Sequence, residues 1–129
     1  MEIINKLLIK LGIQTSEFEK FQLIENHSTE YQTTFDKLEQ TLKEADLAAH
    51  AEVVRQIHLV LIGKDFQRFI RRMNSVDMWG GSGAVCEVYI KDPILERDYN
   101  LGMLRLINLM EKTKILGGGI KPLRDHYDI

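Results

Sequence analysis

The chain has few of the residues that staple or interrupt a fold. Its 129 residues include one cysteine and two prolines. A lone thiol, Cys86, cannot close a disulfide within the chain, so no disulfide framework supports it. That usage fits a reducing compartment. With so little proline, long stretches carry nothing that blocks a helix. Long apolar runs are absent as well. The longest, Leu59 to Ile62, falls far short of the roughly 20 residues needed to span a bilayer. Met1-Glu2-Ile3-Ile4-Asn5-Lys6 opens on an acid, without a basic region ahead of an apolar run, and does not read as a signal peptide. The expected location is the cytoplasm. Finally, the chain lacks charge of one sign. Lys and Arg total 17 and Asp and Glu 19, for a formal net charge of −2. A uniformly basic nucleic-acid-binding domain is excluded.

What is present is apolar and periodic. Apolar residues make up 44% of the chain, which excludes a disordered polymer. At this length the expectation is one domain, 1–129, with 120–129 a loose tail unless it docks. Ile3, Ile4, Leu7, Leu8 and Leu11 predict a first short helix, stopped at Gly12. Ser16-Glu17-Phe18-Glu19 and Thr29-Glu30-Tyr31-Gln32 both have the form of a capping box. Tyr31, Phe35, Leu38, Leu42 and Ala45 follow the second at helical spacing. Asp46 is placed to cap a helix carrying Val53, Ile57, Val60 and Leu61, which Gly63 ends or bends. Asp65 is placed to cap another with Phe66, Phe69, Ile70 and Met73. Short connections favour antiparallel neighbours in a bundle.

The pattern changes at Ser75. Three glycines fall within residues 80–83. The run Val85, Cys86, Val88, Tyr89 and Ile90 suits a short strand or a buried helical turn, and periodicity does not decide. Asp92-Pro93 marks a turn or a helix start. A last long helix is predicted from Asp98 to Leu116, stopped by Gly117-Gly118-Gly119. The expected fold is mainly α, a single-domain bundle of about five or six helices. A Gly-rich loop, irregular or with a short β element, should occupy 76–91. The expected core comprises Leu7, Leu8, Leu38, Leu42, Ile57, Leu61, Phe69, Ile70, Leu104 and Ile107.

No constellation of catalytic residues stands out. A phosphate loop needs Lys and Ser/Thr after its last glycine, and here Gly83 leads into Ala84-Val85-Cys86. Gly81, Gly83 and Cys86 do not fit G-x-G-x-x-G. Gly80-Gly81-Ser82-Gly83-Ala84 lacks the last glycine of a nucleophile elbow. An enzyme would have to use Cys86 or Ser82 with His50 or His58. The spacing of the histidines and the single cysteine give no metal motif. No catalytic residue, cofactor or metal is therefore expected. Lys64, Arg68, Arg71 and Arg72 form the densest basic group, and a helical regulator could bind nucleic acid through them.

The charge is patterned despite its small total. Residues 1–50 carry −4, 51–76 carry +3, 77–100 carry −3 and 101–129 carry +2. A local acidic face is thus compatible with a near-neutral chain. Acids Glu30, Asp36, Glu39, Glu44 and Asp46 ride on the helix after Thr29, suited to solvent or to a basic protein.

The segment Asp77-Met78-Trp79-Gly80-Gly81-Ser82-Gly83-Ala84-Val85, with Glu87-Val88 after it and a helical half before it, resembles small bacterial immunity proteins of contact-dependent growth inhibition and polymorphic toxin systems. The resemblance implies a cytosolic, non-catalytic protein that binds one cognate toxin and occludes its active site. Many such toxins are nucleases with basic clefts, which an acidic face would suit. The expected contact residues are Trp79, Glu87, Asp92, Glu96 and Asp98 around the Gly loop, with Glu39 and Asp46 as a second patch. Neither a membrane nor direct nucleic-acid contact is expected.

Overall fold

The computed structural model describes residues 15–80 and 83–127. The chain runs through α1 (Thr15–Asn26), α2 (Ser28–Glu44), α3 (Ala48–Ile62), α4 (Phe66–Met73) and the single turn α5 (Val76–Trp79). A 3₁₀ turn, Val85–Glu87, leads to the long helix α6 (Pro93–Lys112). A second 3₁₀ turn, Lys121–Leu123, and a short α7 (Arg124–Tyr127) complete it. The fold is a mainly α helical bundle, and no strand occurs among the described residues.

Helix α2 is the centre of the bundle. Its apolar stripe of Tyr31, Phe35, Leu38 and Leu42 is fully buried, as the helical spacing predicts. On one side it meets α3, where Phe35 lies 5.5 Å from the His58 ring. On the other it meets α6 antiparallel, since Tyr31 bonds Thr113 while Lys37 pairs with Asp98. The two backbones approach closely at Gly102. A Cβ there would stand 3.2 Å from Cδ1 of Leu38, so glycine lets the helices close. Phe69 of α4 closes the aromatic centre, with edge-on contacts to Tyr31 at 5.2 Å and Phe35 at 6.2 Å. Such pairs contribute about 0.5–1.5 kcal/mol each beyond their burial.

Of the expected core, Leu38, Leu42, Ile57, Leu61, Phe69 and Ile107 are buried. Ile70 and Leu104 pack against it only in part. Leu7 and Leu8 lie outside the described residues, as does the first predicted helix.

Several local expectations are corrected. Of the alternatives left open for 76–91, the irregular one holds: its described residues form a helical turn, a 3₁₀ turn and an extended stretch, without a strand. The last helix begins at Pro93, with Asp92 as its cap, and stops at Lys112 rather than at the glycines. There Lys114 turns into the left-handed region at φ 63°, and the Ile115 N–H closes on the Met110 carbonyl at 2.9 Å. Asp46 does not cap α3. It holds the left-handed position after α2, at φ 61°, and the N-cap is Leu47. The two capping boxes are not formed as read, because Ser16 and Thr29 already lie inside α1 and α2. Asp65 does cap α4, accepting the Arg68 N–H at 3.2 Å. The tail also docks in its described part: Ile120 and Tyr127 are buried.

Candidate functional site

The segment between α5 and α6 has no regular backbone ladder, so its carbonyls need partners from elsewhere. Two buried tyrosines supply them. The Tyr99 hydroxyl donates to the Val85 carbonyl at 2.7 Å, and the Tyr127 hydroxyl donates to the Cys86 carbonyl at 3.2 Å. Their rings meet edge-on at 5.9 Å. Gly83 enters this segment at φ 88°, a conformation that a side chain would strain. Beyond the 3₁₀ turn the backbone is extended at Val88. Ile90 is buried and its neighbour Tyr89 is turned out, 83% exposed. Asp92 then caps α6, its carboxylate accepting the N–H groups of Ile94 at 2.9 Å and Leu95 at 3.0 Å. Capping by an acid is favoured twice, by the hydrogen bonds and by the helix dipole.

The outcome is a rigidly held, outward face. Tyr89 is its apolar residue, and Glu96 lines a cavity with it, whereas Ile94, 73% exposed, is two residues from Glu96 and therefore lies on the opposite side of α6. Glu87, Asp92 and Glu96 are exposed along this stretch of chain, as are Lys91 and Arg97. Beside Tyr89 lies a cavity of about 240 Å³ lined by Cys86, Ile90, Glu96, Tyr99, Asn100 and His126, among others.

This cavity brings Cys86 and an imidazole together, but neither that of His50 nor that of His58, the partners weighed for it from sequence. The imidazole is that of His126. His58 lies instead at the α2–α3 contact, 3.5 Å from Asp36, and His50 is half-buried on α3. Burial pushes the Cys86 thiol up, and the Glu87 carboxylate pushes it further. The thiol is thus held protonated at neutral pH, which makes it a poor nucleophile. Ser82 lies outside the described residues. No group of three or more His, Cys, Asp or Glu suited to a metal ion occurs among the described residues.

The other expected contact residues are placed differently from the Tyr89 face. Trp79 is half-buried, and its indole N–H donates to the Met73 carbonyl at 2.7 Å. It ties α5 to the end of α4 rather than standing open to a partner. Asp98 pairs with Lys37 at 3.7 Å across α6 and α2, and Glu39 with Lys43 at 2.7 Å along α2. Asp46 is exposed at the α2–α3 turn. Of the basic group, Lys64 pairs with Glu25 at 3.4 Å, while Arg68, Arg71 and Arg72 are exposed on α4.

The two tyrosines that pin the segment, and His126, were missed by sequence reasoning. A pinning tyrosine has no motif.

Comparison of the chain with known families, curated proteins and solved structures finds no match. No helix among the described residues is long and apolar enough to cross a membrane.

Proposed function

We propose that the protein is a non-catalytic binding protein that neutralises a cognate bacterial toxin, a nuclease with a basic cleft, by covering its active site. The observation that carries this reading is the Tyr89 face. An exposed aromatic residue projects from a segment whose Val85 and Cys86 carbonyls accept two tyrosine hydroxyls, and three exposed carboxylates lie in the same stretch of chain, Glu96 lining the same cavity as Tyr89. Tight protein interfaces concentrate their energy in a few aromatic or aliphatic residues inside a polar rim. Because the backbone is fixed before binding, little ordering entropy is lost on association. Glu87, Asp92 and Glu96 would steer a basic cleft onto this face and set its orientation. Binding requires neither a cofactor nor a nucleophile, in keeping with the protonated Cys86 thiol.

The test is co-expression with the toxic product of the adjacent gene. The wild-type protein should protect cells. Tyr89→Ala combined with Glu96→Lys should abolish protection while leaving the helical circular dichroism unchanged. Persistent toxicity with the wild-type protein present, or full protection by the double variant, would contradict the proposal.

A further inference from the structure

The cavity beside Tyr89 combines three features that favour a cation. Glu96 lines it and makes no ion pair within 4.0 Å among the described residues. A second acid acts on it from the side. Burial raises the Cys86 thiol and the Tyr99 hydroxyl, and the Glu87 carboxylate adds to both. Both groups line the cavity, so the negative field of Glu87 reaches into it. Lys91 and Arg97 are exposed nearby in the chain, but neither lines the cavity. The third feature is Tyr89 itself. It lines the cavity while 83% exposed, so its ring stands at the open rim. An aromatic face attracts a cation placed over it.

We propose, on the reading that the Tyr89 face is the docking surface, that this cavity receives an arginine side chain of the partner. The volume fits. At about 240 Å³ the space is below the roughly 300–1,000 Å³ of a drug-sized ligand. It holds about eight water-sized groups at roughly 30 Å³ each, close to the size of an arginine side chain. The chemistry fits as well. A guanidinium is planar, so it stacks on a tyrosine ring while its N–H groups reach a carboxylate. Glu96 supplies the carboxylate, and the Asn100 amide oxygen is a further acceptor. An ammonium is compact and strongly hydrated, and it lacks the stacking face. A divalent metal ion needs several oxygen ligands, whereas a single carboxylate lines this cavity among the described residues. An anion would meet Glu96 unscreened.

The test is a titration of the ¹⁵N-labelled protein with N-propylguanidinium, followed by amide chemical shifts. n-Butylammonium and N-propylurea, of similar size, separate the guanidinium from a bare cation and from an uncharged analogue. N-propylguanidinium should shift amides of 86–90, 96–100 and 126 saturably. Glu96→Gln should weaken it about tenfold, the size expected for one charge-assisted hydrogen bond. Tyr89→Ala should weaken it about threefold, the scale of an exposed cation–π contact. Both substitutions fall at exposed positions and should leave the helical circular dichroism unchanged. n-Butylammonium should bind more weakly, and N-propylurea should not bind. The assignment is overturned if N-propylguanidinium gives no saturable shift at these amides, if Glu96→Gln binds it as the wild type does, or if either comparison compound binds the cavity as tightly. The toxin reading fails separately. Binding of N-propylguanidinium by a protein that gives no protection keeps the guanidinium site and removes the toxin, and protection without that binding does the reverse.

Discussion

Buried tyrosines hold both the centre of the bundle and the Tyr89 segment, but by different means. At the centre, Tyr31 bonds the Thr113 hydroxyl at 2.8 Å, and the Thr113 hydroxyl in turn donates to the Leu109 carbonyl at 2.8 Å. Both groups sit on helices whose backbones are already satisfied. The hydroxyl bond there is an addition to a well-packed aromatic cluster. In the Tyr89 segment, Tyr99 and Tyr127 bond directly to carbonyls of residues in irregular backbone. There the hydroxyls replace a missing ladder. Both regions are buried, but the second also depends on two hydroxyl bonds to close its irregular backbone. Damage to the first should unfold the molecule, and damage to the second should loosen the Tyr89 segment.

The strongest way to break that contrast is Phe35→Ala. It empties the aromatic centre and should cost about 3–5 kcal/mol, measured by urea denaturation. It should lower the stability of both regions together. A second test is alkaline pH. Burial raises all three tyrosine hydroxyls, with Tyr127 pushed up to about 12 and Tyr31 and Tyr99 further still. A raised folded value means that the unfolded chain loses the proton first. The stability is therefore complete below about pH 10, the unfolded tyrosine value, and is lost as pH rises through the folded values. Denaturation midpoints should hold up to pH 10 and fall from there towards pH 12. Tyr99→Phe should flatten this fall.

At neutral pH, Tyr99→Phe should cost about 1–3 kcal/mol, because the Val85 carbonyl is left without its partner. Its sharper readout is local. Amide exchange at 85–90 should accelerate well beyond that of α2, whereas a Tyr31→Phe variant should show no such local effect. The smallest effect is expected at Asn74. Its side chain donates to the Ile115 carbonyl at 2.9 Å and accepts the Gly117 N–H at 3.0 Å, fastening the end of α4 to the loop after α6. Asn74→Ala should cost about 1 kcal/mol by thermal unfolding and leave the Tyr89 segment unchanged.

The same contrast explains what the sequence made legible. Helices α2, α3 and α4 were visible because Tyr31, Phe35, Leu38, Leu42, Ile57, Leu61 and Phe69 repeat at helical spacing, and burial enforces that period. Their ends were less visible. The left-handed residues after α2, α3 and α6, Asp46, Lys64 and Lys114, are not glycine, which would have been the signal. The Tyr89 segment was legible only as a break in pattern. Its conformation depends on Tyr99, 14 residues from its carbonyl partner, and on Tyr127, 41 residues from its own. Contacts at such separations leave no local trace. For the same reason Trp79 looked available for contact, although its indole N–H is spent on Met73. The acids Glu87, Asp92 and Glu96 were named from sequence, while Tyr89 as the exposed apolar residue among them in the chain emerged only from its exposure.

The central claim is that the Tyr89 face binds a basic toxin. Calorimetric titration of the purified protein with the toxic domain encoded beside it tests this most directly, using wild type and Tyr89→Ala. The account predicts tight binding for the wild type and a loss of at least about 30-fold in affinity for Tyr89→Ala, the scale of an interface hot spot. Equal affinity for the two proteins, with the variant folded, would contradict it.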